Sequence, residues 1–154
     1  MTAQTGRTHE RFIQVLLGDN ANALQDLSAY VASAGPIGLK FDTVNVEGYS
    51  DAVHNFLTGR PGAPITLTSP FDTVLNAQLA TLNGVLTPRT FAVQFGIRHA
   101  WVAGEPVFGL QRTSTTSGYI VTSHLVDSKT MVITATLEVY GPTVPAWGTA
   151  ALTG

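Results

Sequence analysis

The 154-residue chain carries eight Lys and Arg against ten Asp and Glu, a formal net charge of −2, with 44% hydrophobic and only 12% charged residues. That length suits one domain with a real core. The weakly acidic balance, with cations scattered from Arg7 to Lys129, argues against an electrostatic grip on phosphate backbones, and the absence of cysteine excludes disulfides and thiolate chemistry.

In chain order, residues 1–10 (MTAQTGRTHE) lack periodicity and an apolar core, which predicts an N-terminal arm and no signal peptide. Residues 12–17 (FIQVLL) predict a first strand, closed by the turn residues Gly18, Asp19 and Asn20. A short helical turn is expected over 24–30, then extended chain over 39–46 (LKFDTVNV). Residues 47–64 are rich in Gly, Pro, Ser and Asp without clean periodicity, so they read as a long loop, and loops of that length are usually functional or disordered. After a strand at 65–68, the sequence predicts a helix over about 72–84: Asp72 can cap it, Leu75, Leu79 and Leu82 share one face, and Asn83-Gly84 stops it.

The remainder alternates with period two. Phe91, Val93, Phe95 and Ile97 oppose Thr90, Ala92, Gln94 and Gly96, predicting one buried and one exposed face. Met131, Ile133, Ala135, Leu137 and Val139 oppose Thr130, Thr134, Thr136 and Glu138, and this strand should pair with 119–126 around Asp127-Ser128-Lys129. Residues 142–154 read as a C-terminal tail. The expected fold is mostly β, of α+β type: a β-sandwich or partly open barrel with one packed helix, spanning 11–141.

Chemistry is sparse. His9, His54, His99 and His124 are far apart, with no partner at metal-ligand spacing, and neither a nucleophile elbow nor a phosphate loop is present. No catalytic, cofactor or metal residue is therefore expected. The ten carboxylates could supply an acid-base pair only by folding together. No apolar stretch approaches the roughly 18 residues a membrane helix needs, so a soluble compartment is the expectation. Low charge itself has two readings, a surface covered by neighbouring subunits or a Thr- and Ser-rich β surface.

The order of several short motifs resembles the major tail tube proteins of siphophages, a fold shared with type VI secretion tube proteins. They are 24–31 (LQDLSAYV), 41–46 (FDTVNV), 48–51 (GYSD), 56–59 (FLTG), the strand ending at Pro70-Phe71-Asp72, 118–123 (GYIVTS) and the strand over 130–141. The sequence departs from that pattern after Gly59, where Arg60 is followed by Pro61 and Gly62. The resemblance implies a structural virion protein of the phage tail, with homohexameric rings stacked into a tube and DNA passing through the lumen without specific binding. It also implies tail partners such as a tape-measure protein and a tail terminator. Stacking needs projecting elements, and the candidates are Tyr49, Ser50, Asp51, His54, Phe56, Leu57, Thr58, Gly59 and Arg60, with Trp147 as a C-terminal contact. Glu138 is a lumen candidate if its strand lies on the inner sheet. A capsid decoration or head-to-tail connector protein of related fold is the alternative.

Overall fold

A computed structural model describes residues 10–46, 48–50, 52–53, 56–112 and 116–153. The strands are β1 (Ile13–Gly18), β2 (Leu24–Asp26), β3 (Ser33–Gly35), β4 (Lys40–Asn45), β5 (Phe56–Gly62) and β6 (Ile65–Pro70). Helix α1 (Thr73–Leu82) follows, then β7 (Phe91–Phe95), β8 (Val107–Leu110), β9 (Gly118–Asp127), β10 (Val132–Tyr140) and β11 (Ala146–Gly148). They form two open sheets, ordered β11-β8-β7-β1-β2 and β3-β6-β10-β9, and a separate β4-β5 ribbon. Among the described residues the protein is mostly β with one α-helix, as the alternating patterns predict.

One apolar core joins the sheets. Val15, Leu17, Phe91, Val93 and Phe108 from the first meet Ile65, Leu67, Tyr119, Ile133 and Leu137 from the second, with Leu75, Leu79 and Leu82 of α1 packed in. Phe91 and Tyr119 touch across the layers with ring centroids 5.1 Å apart. Burying one Leu or Phe side chain in such a core is worth about 1.5–3 kcal/mol, so these residues carry the fold.

The helix begins as its sequence dictates: Asp72 accepts from the N–H groups of Val74 and Leu75 at 2.9 and 3.1 Å. It ends where Gly84, at φ 76°, turns the chain so that its N–H reaches Val121 O at 3.0 Å. The β9–β10 hairpin also forms as expected, its turn held by the Asp127 carboxylate on Lys129 N–H at 2.8 Å.

Four expectations are corrected. The stretch 47–64 is not one long loop, because Phe56–Gly62 pairs with β4. No alternation marks β4 because all six of its residues are exposed, leaving no buried face to impose a period. The helical turn over 24–30 is in part a strand: Leu24–Asp26 pairs with β1, and the Asp26 carboxylate accepts Ser28 N–H at 2.9 Å to turn the chain. Strand β7 is buried on both faces, including Ala92 and Gln94, as is Thr90 just before it. Its second face is covered by the C-terminal segment, where Leu152 lies so close to Gly109 that an added Cβ would stand 3.0 Å from it. Within that segment, read as a tail, β11 adds to the edge of β8.

Candidate functional site

Several carboxylates and one histidine serve local structure. Glu105 clamps its own loop, accepting from Ile97 N–H through Oε2 and from Val102 N–H through Oε1, both at 2.9 Å. His99 Nδ1 stands 3.6 Å from the same carboxylate and 2.8 Å from Ala100 O. Asp19 accepts from the N–H groups of Ala21 and Ala23 and from Gln25, and the two backbone bonds hold its carboxyl below the usual range. Among the described residues, no three His, Asp or Glu side chains come together as metal ligands. Among the described residues, surface recesses of about 270 to 390 Å³ include one holding Asp19 and Thr81, but the Asp19 carboxylate is already taken up by Ala21, Ala23 and Gln25.

Surfaces are what remain, and the β4–β5 ribbon is the most distinctive. It joins neither sheet, and two-stranded ribbons are marginal in water without support. It nevertheless exposes Phe41, Val44 and Leu57, with Val44 and Leu57 paired across the strands at 56% and 61% exposure, and Val46 is exposed just beyond β4. At its base a recess of about 380 Å³ is lined by Leu39, Arg60, Pro61 and the chain from Val139 to Pro145. Among the sequence candidates, Tyr49 and Ser50 lie in an exposed turn beyond β4, and Arg60 is exposed on β5. The backbone of Phe56, Thr58 and Gly59 lies in β5. Asp51 and His54 fall outside the described residues.

Sheet β3-β6-β10-β9 presents the second surface. Thr66, Thr68, Thr134, Thr136 and Glu138 share the face turned from the core, since their strand neighbours Ile65, Leu67, Ile133, Ala135 and Leu137 fill the interior. Ser33 stands beside Thr68, and Ile120 beside Glu138. Glu138 is exposed and brings the only charge among these side chains. Trp147 is elsewhere, on the edge strand of the other sheet. Its ring packs on Phe95 and Phe108 at centroid distances of 5.5 and 5.1 Å, yet remains 54% exposed.

Sequence reasoning missed the apolar exposure of β4. The signal was present in Phe41 and Val44, but such residues are ordinarily assigned to a core.

Two open sheets with one helix on the core and a projecting ribbon define a tail-tube-like fold. Solved structures that share it include chains of the anti-feeding prophage and of the PVC extracellular contractile injection system. The tube-terminating cap of the anti-feeding prophage superimposes with TM-score 0.63 at 16% identity, covering 97% of this chain and 96% of that one. A chain of the extended sheath–tube complex of the PVC extracellular contractile injection system gives 0.56 at 14% identity, covering 94% and 93%. A chain of the anti-feeding prophage baseplate gives 0.56 at 11%, covering 96% and 97%. No family model and no curated protein matches the sequence. At these identities the likeness is one of fold, and the PVC system is a contractile injection system whereas the sequence motifs resemble siphophage tail tube proteins.

Proposed function

We propose that this chain is a structural subunit of a phage-tail-like tube, built as stacked homohexameric rings around a channel and carried in the virion. The observation that supports the reading best is the fold match, which runs over nearly the whole of both chains. The exposed ribbon supplies the second line of support. An apolar two-stranded element with no home in its own chain is stabilised when a neighbouring subunit covers it, and a head-to-tail contact of that kind builds filaments. Tyr49, Leu57 and Arg60, with their neighbours on the ribbon, are the inter-ring contacts in this reading, and Trp147 is a contact on the opposite sheet edge.

The threonine face bearing Glu138 is the channel lining. A conduit for DNA must not hold it, and a neutral to weakly acidic wall offers no counterion-release attraction. The tape-measure and terminator proteins of the same tail are the partners this architecture calls for, and the subunit has no catalytic task in it.

A second reading, a subunit of the ring that terminates the tube, is favoured by the match to a tube-terminating cap over 97% of the chain. Negative-stain electron microscopy of the purified protein separates the two. Hollow filaments support the tube subunit, isolated rings support the terminator, and a stable monomer at high concentration overturns both.

A further inference from the structure

The two ends of the β4–β5 ribbon carry complementary chemistry. Its base is the Lys40↔Gly62 pair and its far end the Asn45↔Phe56 pair, five strand steps or roughly 17 Å apart. At the base two recesses, of about 380 and 270 Å³, meet at Leu39, which lines both and makes them one groove. Pro36, Ile37 and Pro64 wall the smaller recess, and Pro61, Val139 and Val144 the larger. Ile37 and Val139 also pack against the core, so the fold itself holds the floor of the groove in place. Among the described residues, the charged groups on its walls are Lys40 and Arg60, both exposed and both cationic.

Beyond the far end stands Tyr49, 113% exposed and so out of contact with its own chain. In the sequence Glu47 and Asp51 lie two positions to either side of it. A tyrosine brings a large apolar area with little conformational freedom to lose, which is why such rings anchor interfaces. An apolar floor suits the ring, and a cationic rim suits its acidic sequence neighbours. Tyr49 and the groove lie at opposite ends of the ribbon, so the ring that fills the groove comes from another copy.

We propose that Tyr49 of one copy inserts into the groove at the ribbon base of the next, with Lys40 and Arg60 drawing in the acidic stretch that carries it. The contact is heterologous: each copy offers one tip and one groove, so copies add end to end. It rests on the tube reading, to which it adds the joint between successive rings.

Tyr49→Ser removes the tip, and Lys40→Glu with Arg60→Glu reverses the rim of the groove. All three positions are exposed, so circular dichroism and Tm should match the wild type. By electron microscopy and sedimentation, each variant alone should need at least about tenfold more protein than the wild type to form filaments. Mixed together the two variants have one working joint, the tip of the charge-reversed chain in the groove of the Tyr49→Ser chain, so pairs of rings and no longer stacks are expected. Adding Glu47→Lys and Asp51→Lys to the charge-reversed chain should restore filaments. Filaments from either variant at the wild-type concentration, mixtures that form no pairs, or a fourfold charge swap that restores nothing overturn the proposal, leave the tube reading standing and give the groove to a different tail protein. A wild type that stays monomeric overturns the tube reading and this joint with it.

Discussion

Thr90 has no exposed surface, and its hydroxyl works at full capacity. It accepts from Arg112 N–H at 2.9 Å and from Asn22 Nδ2 at 3.4 Å, and donates to Thr153 O at 3.1 Å. One side chain so ties the β1–β2 turn, the chain after β8 and the C-terminal segment. Thr90→Val keeps the shape but orphans these partners, so a loss of about 2–3 kcal/mol is expected in chemical denaturation, with faster amide exchange at Thr153. Tyr119 is the second such residue: it is fully buried, and its hydroxyl donates to Ala63 O at 3.1 Å. Burial pushes its phenol well above the ordinary value of 10.0. A raised value means that the folded state prefers the protonated form, so this contribution is intact below pH 10.0 and is lost as pH rises beyond it. Tyr119→Phe should cost about 1–2 kcal/mol at neutral pH. It should also flatten the alkaline fall in Tm, and an unchanged alkaline limb would count against this account.

At the scale of elements, α1 and the β4–β5 ribbon behave oppositely. The helix is specified locally, by Asp72 at its start and three leucines on one face, and Asp72→Ala should lower stability by about 1 kcal/mol through loss of two backbone acceptor bonds. The ribbon is specified by pairing alone. Val44→Thr with Leu57→Thr touches exposed positions, so Tm should stay nearly constant while filament or ring stacking, scored by electron microscopy, is lost. Loss of both would make these residues part of the core, and loss of neither would remove the ribbon from assembly. Point substitutions are the right instrument, because deleting 51–62 would strip β4 of its partner strand.

For the whole molecule, the sparse charge now has a place on a surface. The outward face of β6 and β10 is a threonine field with Glu138 as its charge, and on the tube reading the ring repeats that face around the channel. Glu138→Lys should leave the fold intact, since the side chain is exposed, but convert assembled tubes into salt-sensitive DNA binders. Filter retention of labelled DNA by wild-type and variant tubes reads this directly. Equal, negligible retention by both would move Glu138 away from the channel.

Much of this was legible in the chain itself. The alternations of β7 and β10, the Asp72 cap, the Asn83-Gly84 stop and the Asp127 turn are local signals, because each depends on residues within a few positions of one another. Period two in Ile133, Ala135 and Leu137 fixes one buried face wherever the strand goes. Which surfaces stay uncovered was decided only in three dimensions. Ala92 and Gln94 read as solvent-facing, yet a segment far along the chain closes over their face of the sheet; Phe41 and Val44 read only as extended chain, and nothing local foretold that they would stay exposed. Local sequence determined the helix and the strands β1, β6, β7, β9 and β10, while tertiary pairing made β2, β5 and β11 and packing decided which faces were left for a partner.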